Sequence, residues 1–90
     1  MRTIYKYKLE ATDEQTIAMP YGAQILSVQV QADIPCIWAM VDTDEETMNY
    51  KTIYTYGTGH KLPHDMDQLK YIGTYQLYGG DLVFHVFELI

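Results

Sequence analysis

Arginine is nearly missing from this chain: Arg2 is the only one in 90 residues. Six cations stand against twelve carboxylates, a formal net charge of −6. Affinity for nucleic acid comes largely from Lys and Arg neutralising phosphates, so this composition argues against direct binding of DNA or RNA. The same deficit argues against adhesion to an anionic membrane. Cys36 is the only cysteine, which excludes an internal disulfide and suits a reducing cytoplasm. No apolar run approaches the roughly 20 residues of a membrane helix. The segment Met1–Lys8 reads as neither a signal peptide nor an anchor. Ser27 is the only serine, and no histidine lies near it in sequence. A nucleophile, a base and an orienting group are nowhere visible together, so an enzyme is not expected.

What the chain has in abundance is tyrosine, nine in all. Tyrosine joins an apolar ring to a hydroxyl and suits both half-buried strands and contact surfaces. The apolar fraction of 48% is that of a globular protein, and the length is that of a single domain, residues 1–90. Side chains alternate with period two, the mark of a strand. In Thr3–Leu9, Tyr5, Tyr7 and Leu9 share one face and Lys6 and Lys8 the other. Gln15–Met19 reads as a short strand. Ala23–Gln31 places Leu26, Val28 and Val30 inward, with Ser27, Gln29 and Gln31 outward. Cys36–Val41 is almost wholly apolar and reads as a strand covered on both faces. Asn49–Tyr56 alternates again. Lys70–Tyr78 and Asp81–Leu89 flank Gly79-Gly80, a strong hairpin signal because the favoured two-residue turn needs positive φ at both positions. The expectation is an all-β domain of about seven short strands, packed as a small antiparallel β-sandwich or open barrel.

Two groups of residues are candidates for a site. The first is a partner-binding set: Trp38, Tyr54 and Tyr56 as aromatic anchors, with Asp42, Asp44, Glu45 and Glu46 as an acidic loop facing a basic partner. The second lies in the irregular stretch Gly57–Gln68. His60, His64 and Asp65 offer a ligand set for zinc, although Pro63 between the histidines prevents the helical spacing that usually brings two rings together. Gly57-Thr58-Gly59 reads first as a tight turn after a strand, since no Lys-Ser/Thr pair follows it as in a phosphate-binding loop. Cys36 reads as a buried structural thiol. His85, between Phe84 and Val86, reads as a hydrogen-bonded, half-buried strand histidine.

Several segments together resemble one family. They are Thr3-Ile4-Tyr5-Lys6-Tyr7, Gly22–Gln31, Tyr56-Gly57-Thr58-Gly59-His60, Tyr71-Ile72-Gly73-Thr74-Tyr75-Gln76 and Leu82–Glu88. In combination they resemble a family of small uncharacterised proteins encoded mainly by phages and prophages. The resemblance implies a phage origin and a host-cytoplasmic setting, and brings no binding or catalytic residue with it. The leading expectation is a non-enzymatic protein that binds a host protein, one with a basic nucleic-acid-binding surface, as an anti-defence inhibitor of the anti-CRISPR kind. The alternatives are a metal- or small-ligand-binding module centred on the Gly57–His64 loop, and a virion or assembly protein that forms a homodimer through an edge strand.

Overall fold

The computed structural model describes residues 1–63 and 65–90. The alternating segments become seven strands: β1 Arg2–Lys8, β2 Glu14–Pro20, β3 Gln24–Gln31, β4 Ile34–Asp42, β5 Met48–Gly57, β6 Leu69–Leu77 and β7 Leu82–Leu89. They form two antiparallel sheets, a three-stranded sheet ordered β1-β4-β3 and a four-stranded sheet ordered β2-β5-β7-β6. The sheets pack face to face and do not close into a barrel. The expected all-β class and strand count are therefore what the chain adopts.

The inner faces make one core. Ile25, Val28, Ile37, Ala39 and Val41 from the first sheet meet Met19, Ile53, Tyr75 and Val86 from the second. Ile37 and Ile53 are fully enclosed. β4 reads as continuously apolar because it is the central strand of its sheet: Ile37, Ala39 and Val41 face the core while Trp38 and Met40 are half-covered on the other side. Cys36 is buried as expected, its Sγ 3.4 Å from the Ile34 carbonyl. One ion pair reaches into the inner layer. The Lys51 ammonium lies 3.0 Å from Glu88, whose carboxylate is almost enclosed. A buried carboxylate without such a partner is strongly disfavoured.

Two expectations about local geometry are corrected. Leu26 does not face the core. A β-bulge between Ile25 and Ser27 shifts the register against β4, so Ile25 turns inward and Leu26 is exposed. An extra residue in a strand reverses the alternation on one side of it. The Gly79-Gly80 hairpin does not close with two residues either. Leu77 pairs with Leu82, leaving a four-residue loop, Tyr78–Asp81. Tyr78, Gly79 and Gly80 all take positive φ there. A true two-residue turn lies elsewhere, at Ala32-Asp33, where both residues have positive φ between paired Gln31 and Ile34.

The sheets are joined at a corner where β3 and β6 pack together. A second bulge, between Tyr71 and Gly73, bends β6 at that place. A Cβ on Gly73 would lie 2.9 Å from Cγ1 of Val28, so the missing side chain is what lets the two strands approach. The opposite side is bordered by β1 and β2. Arg2, Lys6 and Lys8 project from β1, and charged side chains of this kind hinder strand addition at an edge.

Candidate functional site

Strand register assigns each candidate to a face. In the four-stranded sheet Glu14 of β2 stands opposite Tyr54 of β5, Tyr54 opposite Phe87 of β7, and Phe87 opposite Tyr71 of β6. These four side chains make one row across the outer face. Tyr56 stands two residues beyond Tyr54 on the same strand. The Tyr54 and Tyr56 rings are parallel to within 5°, with centroids 6.4 Å apart. Phe87 meets Tyr56 edge-on at 5.8 Å and Tyr71 at 5.5 Å. Both distances fall in the favourable range for aromatic pairs.

The next row is polar. Tyr56 stands opposite His85, and His85 opposite Thr74. The His85 ring is held at both nitrogens, by the Thr58 hydroxyl at 2.8 Å on Nε2 and the Thr74 hydroxyl at 3.0 Å on Nδ1. The Tyr71 hydroxyl continues the chain to Thr74. His85 is thus the hydrogen-bonded, half-buried strand histidine expected, and its bond to Thr58 ties the following loop to the sheet. That loop opens with a turn in which the His60 N–H donates to the Gly57 carbonyl at 3.1 Å and Gly59 has a φ of +86°. This is the tight turn expected for Gly57-Thr58-Gly59. Gly57 has a second use. The His60 ring lies directly on it, and a Cβ there would come within 2.9 Å of the imidazole.

The loop overhangs the aromatic face and leaves two small clefts beside Tyr56. One, of about 150 Å³, is bounded by Tyr54, Tyr56, Pro63 and Leu69. The other, of about 200 Å³, is bounded by Tyr56, Leu62, Tyr71, His85 and Phe87. The electrostatic setting is acidic. The Tyr56 hydroxyl is held above its usual range first by burial and then by Tyr54, Glu14 and Asp13. Both carboxylates therefore act on Tyr56, and Glu14 stands opposite Tyr54 in the register.

The other candidates lie apart from this face. Trp38 belongs to the outer face of the three-stranded sheet, between Lys6 of β1 and Ser27 of β3. The acidic loop sits at the end of β4, and three of its four carboxylates are engaged within the chain. The Met1 ammonium lies 3.2 Å from Asp42 and 2.7 Å from Asp44. Asp42 also accepts the Asp44 N–H at 3.0 Å, and this backbone donor is the leading cause that lowers its pKa. Glu45 accepts the Thr47 N–H at 3.0 Å. Glu46 is exposed. Of the partner-binding set, the fold joins Tyr54 to Tyr56 and separates both from Trp38. Of the zinc set, His60 is turned onto Gly57, Asp65 borders the Tyr54–Tyr56 cleft, and His64 lies outside the described residues. Among the described residues no three His, Cys, Asp or Glu side chains are grouped to hold a metal ion.

Glu14, Asp13, Tyr71 and Phe87 were not among the expected site residues. Glu14 and Asp13 read as turn residues in sequence, and only the pairing of β2 with β5 carries them to the aromatic row. Among the described residues no helix is long and apolar enough to cross a membrane. No curated protein and no solved structure matches the chain. One family model does, over residues 1–90, and the chain belongs to that family, described as a domain of unknown function (DUF7352).

Proposed function

We propose that this domain is a non-catalytic interaction module that takes a basic segment of a partner protein across the outer face of its four-stranded sheet. The observation that carries the reading is the parallel Tyr54–Tyr56 pair under the negative potential of Glu14 and Asp13. Arginine and lysine stack on aromatic faces, each contact worth about 0.5–2 kcal/mol. Nearby carboxylates add charge-assisted hydrogen bonds and steer the encounter. The net charge of −6 favours the same class of partner.

A metabolite fits the face less well. The clefts beside Tyr56, about 150 and 200 Å³, are below the roughly 300 Å³ at which small-molecule sites begin. They suit single side chains of a protein partner. In the phage setting that the resemblance implies, that partner is a host protein in the cytoplasm whose basic groove ordinarily holds nucleic acid. Filling the groove would inhibit it, an anti-defence activity of the anti-CRISPR kind.

Calorimetric titration with nona-arginine tests the reading. Saturable binding is expected, weakening steeply as salt rises and falling about 2- to 30-fold in Tyr56→Ala. Binding that ignores both salt and Tyr56→Ala, or no binding at low salt, would remove the proposal.

A further inference from the structure

The cleft of about 200 Å³ beside Tyr56 is an aromatic trough. Phe87 of β7 lies between its neighbours: the Tyr56 ring of β5 is inclined to it by 62° and the Tyr71 ring of β6 by 60°. Leu62, 44% exposed, borders the trough from the loop. Most polar side chains around it are already engaged. His85 is bonded at both nitrogens, to Thr58 and Thr74, and the Tyr71 hydroxyl is bonded to Thr74. What the trough exposes is mostly carbon. Among the described residues no Asp, Glu, Lys or Arg borders it. The second cleft, which shares Tyr56, is bordered by Asp65 and Gln68.

We infer that the trough takes one large apolar side chain of the partner, of leucine's bulk, carried on the same segment as a cation that enters the second cleft. The inference rests on the reading of the aromatic face given above, and names what the partner carries besides charge. The lining selects the occupant. Aromatic rings alone can hold a cation, yet the cleft that joins its rings to a carboxylate is the other one. In the trough a cation would lose water without gaining a counter-charge, and the bordering His60 and His85 can carry only positive charge. An anion would meet no lysine or arginine there. A hydroxyl or amide would find the His85 and Tyr71 hydrogen-bonding groups already taken. An aliphatic side chain forfeits no hydrogen bond and gains contact with three rings. Tyr56 borders both clefts, so their occupants are neighbours. Side chains two residues apart on an extended segment point the same way, about 6.5–7 Å apart, a span that bridges a single ring. The partner's segment is thus basic and apolar at alternate positions.

Calorimetry with two capped peptides of equal charge, Arg-Arg-Leu-Arg-Arg and Arg-Arg-Ala-Arg-Arg, tests this. The leucine peptide is expected to bind about tenfold tighter. Both should weaken as salt rises while the ratio between them holds, since screening acts on charge and not on apolar contact. Leu62 is an exposed loop residue, so Leu62→Ser keeps the fold, and it should bring the ratio down toward one. The amides of Gly59, Leu62 and His85 should shift saturably with the leucine peptide and much less with the alanine peptide. If the two peptides bind alike while Tyr56→Ala weakens both, the trough assignment is wrong and the aromatic face stands. The assignment is equally wrong if Leu62→Ser leaves the ratio unchanged, or if the alanine peptide moves those amides as far, which would put a cation in the trough. If neither peptide binds at low salt, or Tyr56→Ala alters neither affinity, both readings fall.

Discussion

On the three-stranded sheet Lys6, Trp38 and Ser27 stand abreast across β1, β4 and β3; on the four-stranded sheet Glu14, Tyr54, Phe87 and Tyr71 stand abreast across β2, β5, β7 and β6. The first face also carries Arg2 and Lys8, with Gln29 and Gln31 on β3. Three of the chain's six cations are therefore gathered on it. Asp42, opposite Arg2 at its margin, is already engaged by the Met1 ammonium. The second face presents four aromatic rings with carboxylates at its border. A net charge of −6 describes neither surface. It is the segregation of charge by sheet that sets the aromatic face, with carboxylates at its border, against a basic back, and the cationic partner proposed above fits only the aromatic face.

The most damaging test removes what both faces share. Ile53 is fully enclosed between the sheets, and Ile53→Ala should cost about 2–5 kcal/mol by loss of buried surface and creation of a cavity. Denaturant unfolding should show it, and both faces should be lost in one cooperative transition. The next test separates the faces. Trp38→Ala should leave nona-arginine affinity within about twofold of the parent, against the larger loss in Tyr56→Ala, because cation–aromatic contact is local. Equal losses would erase the distinction between the faces.

A smaller effect is expected at the Ala32-Asp33 turn, the hairpin end of the basic sheet. Both residues hold positive φ, 50° and 66°, at a cost of roughly 1 kcal/mol for a side chain such as alanine. Ala32→Asn with Asp33→Gly supplies the favoured turn pair and should raise stability by about 1 kcal/mol in denaturant unfolding, with partner binding unchanged. The smallest effect concerns Asp42. The Asp44 backbone N–H, then the Met1 ammonium, lower its pKa from 3.8. A lowered native pKa means that its contribution is present above the unfolded value and is lost as pH falls through the native one. Carboxyl NMR should place its titration below that of an ordinary aspartate, and Asp42→Asn should flatten stability slightly across that acid range.

Much of this architecture is written in alternation. β1 and β5 alternate with period two, and Tyr54 and Tyr56 share a face as that pattern requires, whereas β7 is largely apolar on both faces and alternation alone does not assign its sides. Leu26 misled because a bulge between Ile25 and Ser27, where β3 pairs with β4, breaks the alternation that the sequence pattern assumes. The Ala32-Asp33 turn carries no glycine, and Asp33 alone is of a type that readily takes positive φ, so its residues signal a bend without the two-residue hairpin the chain forms. The site was half legible. Tyr54 and Tyr56 are two residues apart on one strand and had to share a face. Trp38 joined them in sequence only as another aromatic, and the sheet order sends it to the opposite side. The clamp on His85 reaches from Thr74, 11 residues away, and Thr58, 27 away, so only strand pairing reveals it.

Amide-shift mapping of nona-arginine on the isotopically labelled chain at low salt probes the charge-segregated faces most directly. The largest saturable shifts should fall on Glu14, Tyr54, Tyr56 and Phe87, with Lys6, Trp38 and Gln29 unmoved. Shifts centred on Trp38 and its lysines, or spread evenly over every acidic residue of the surface, would contradict the account.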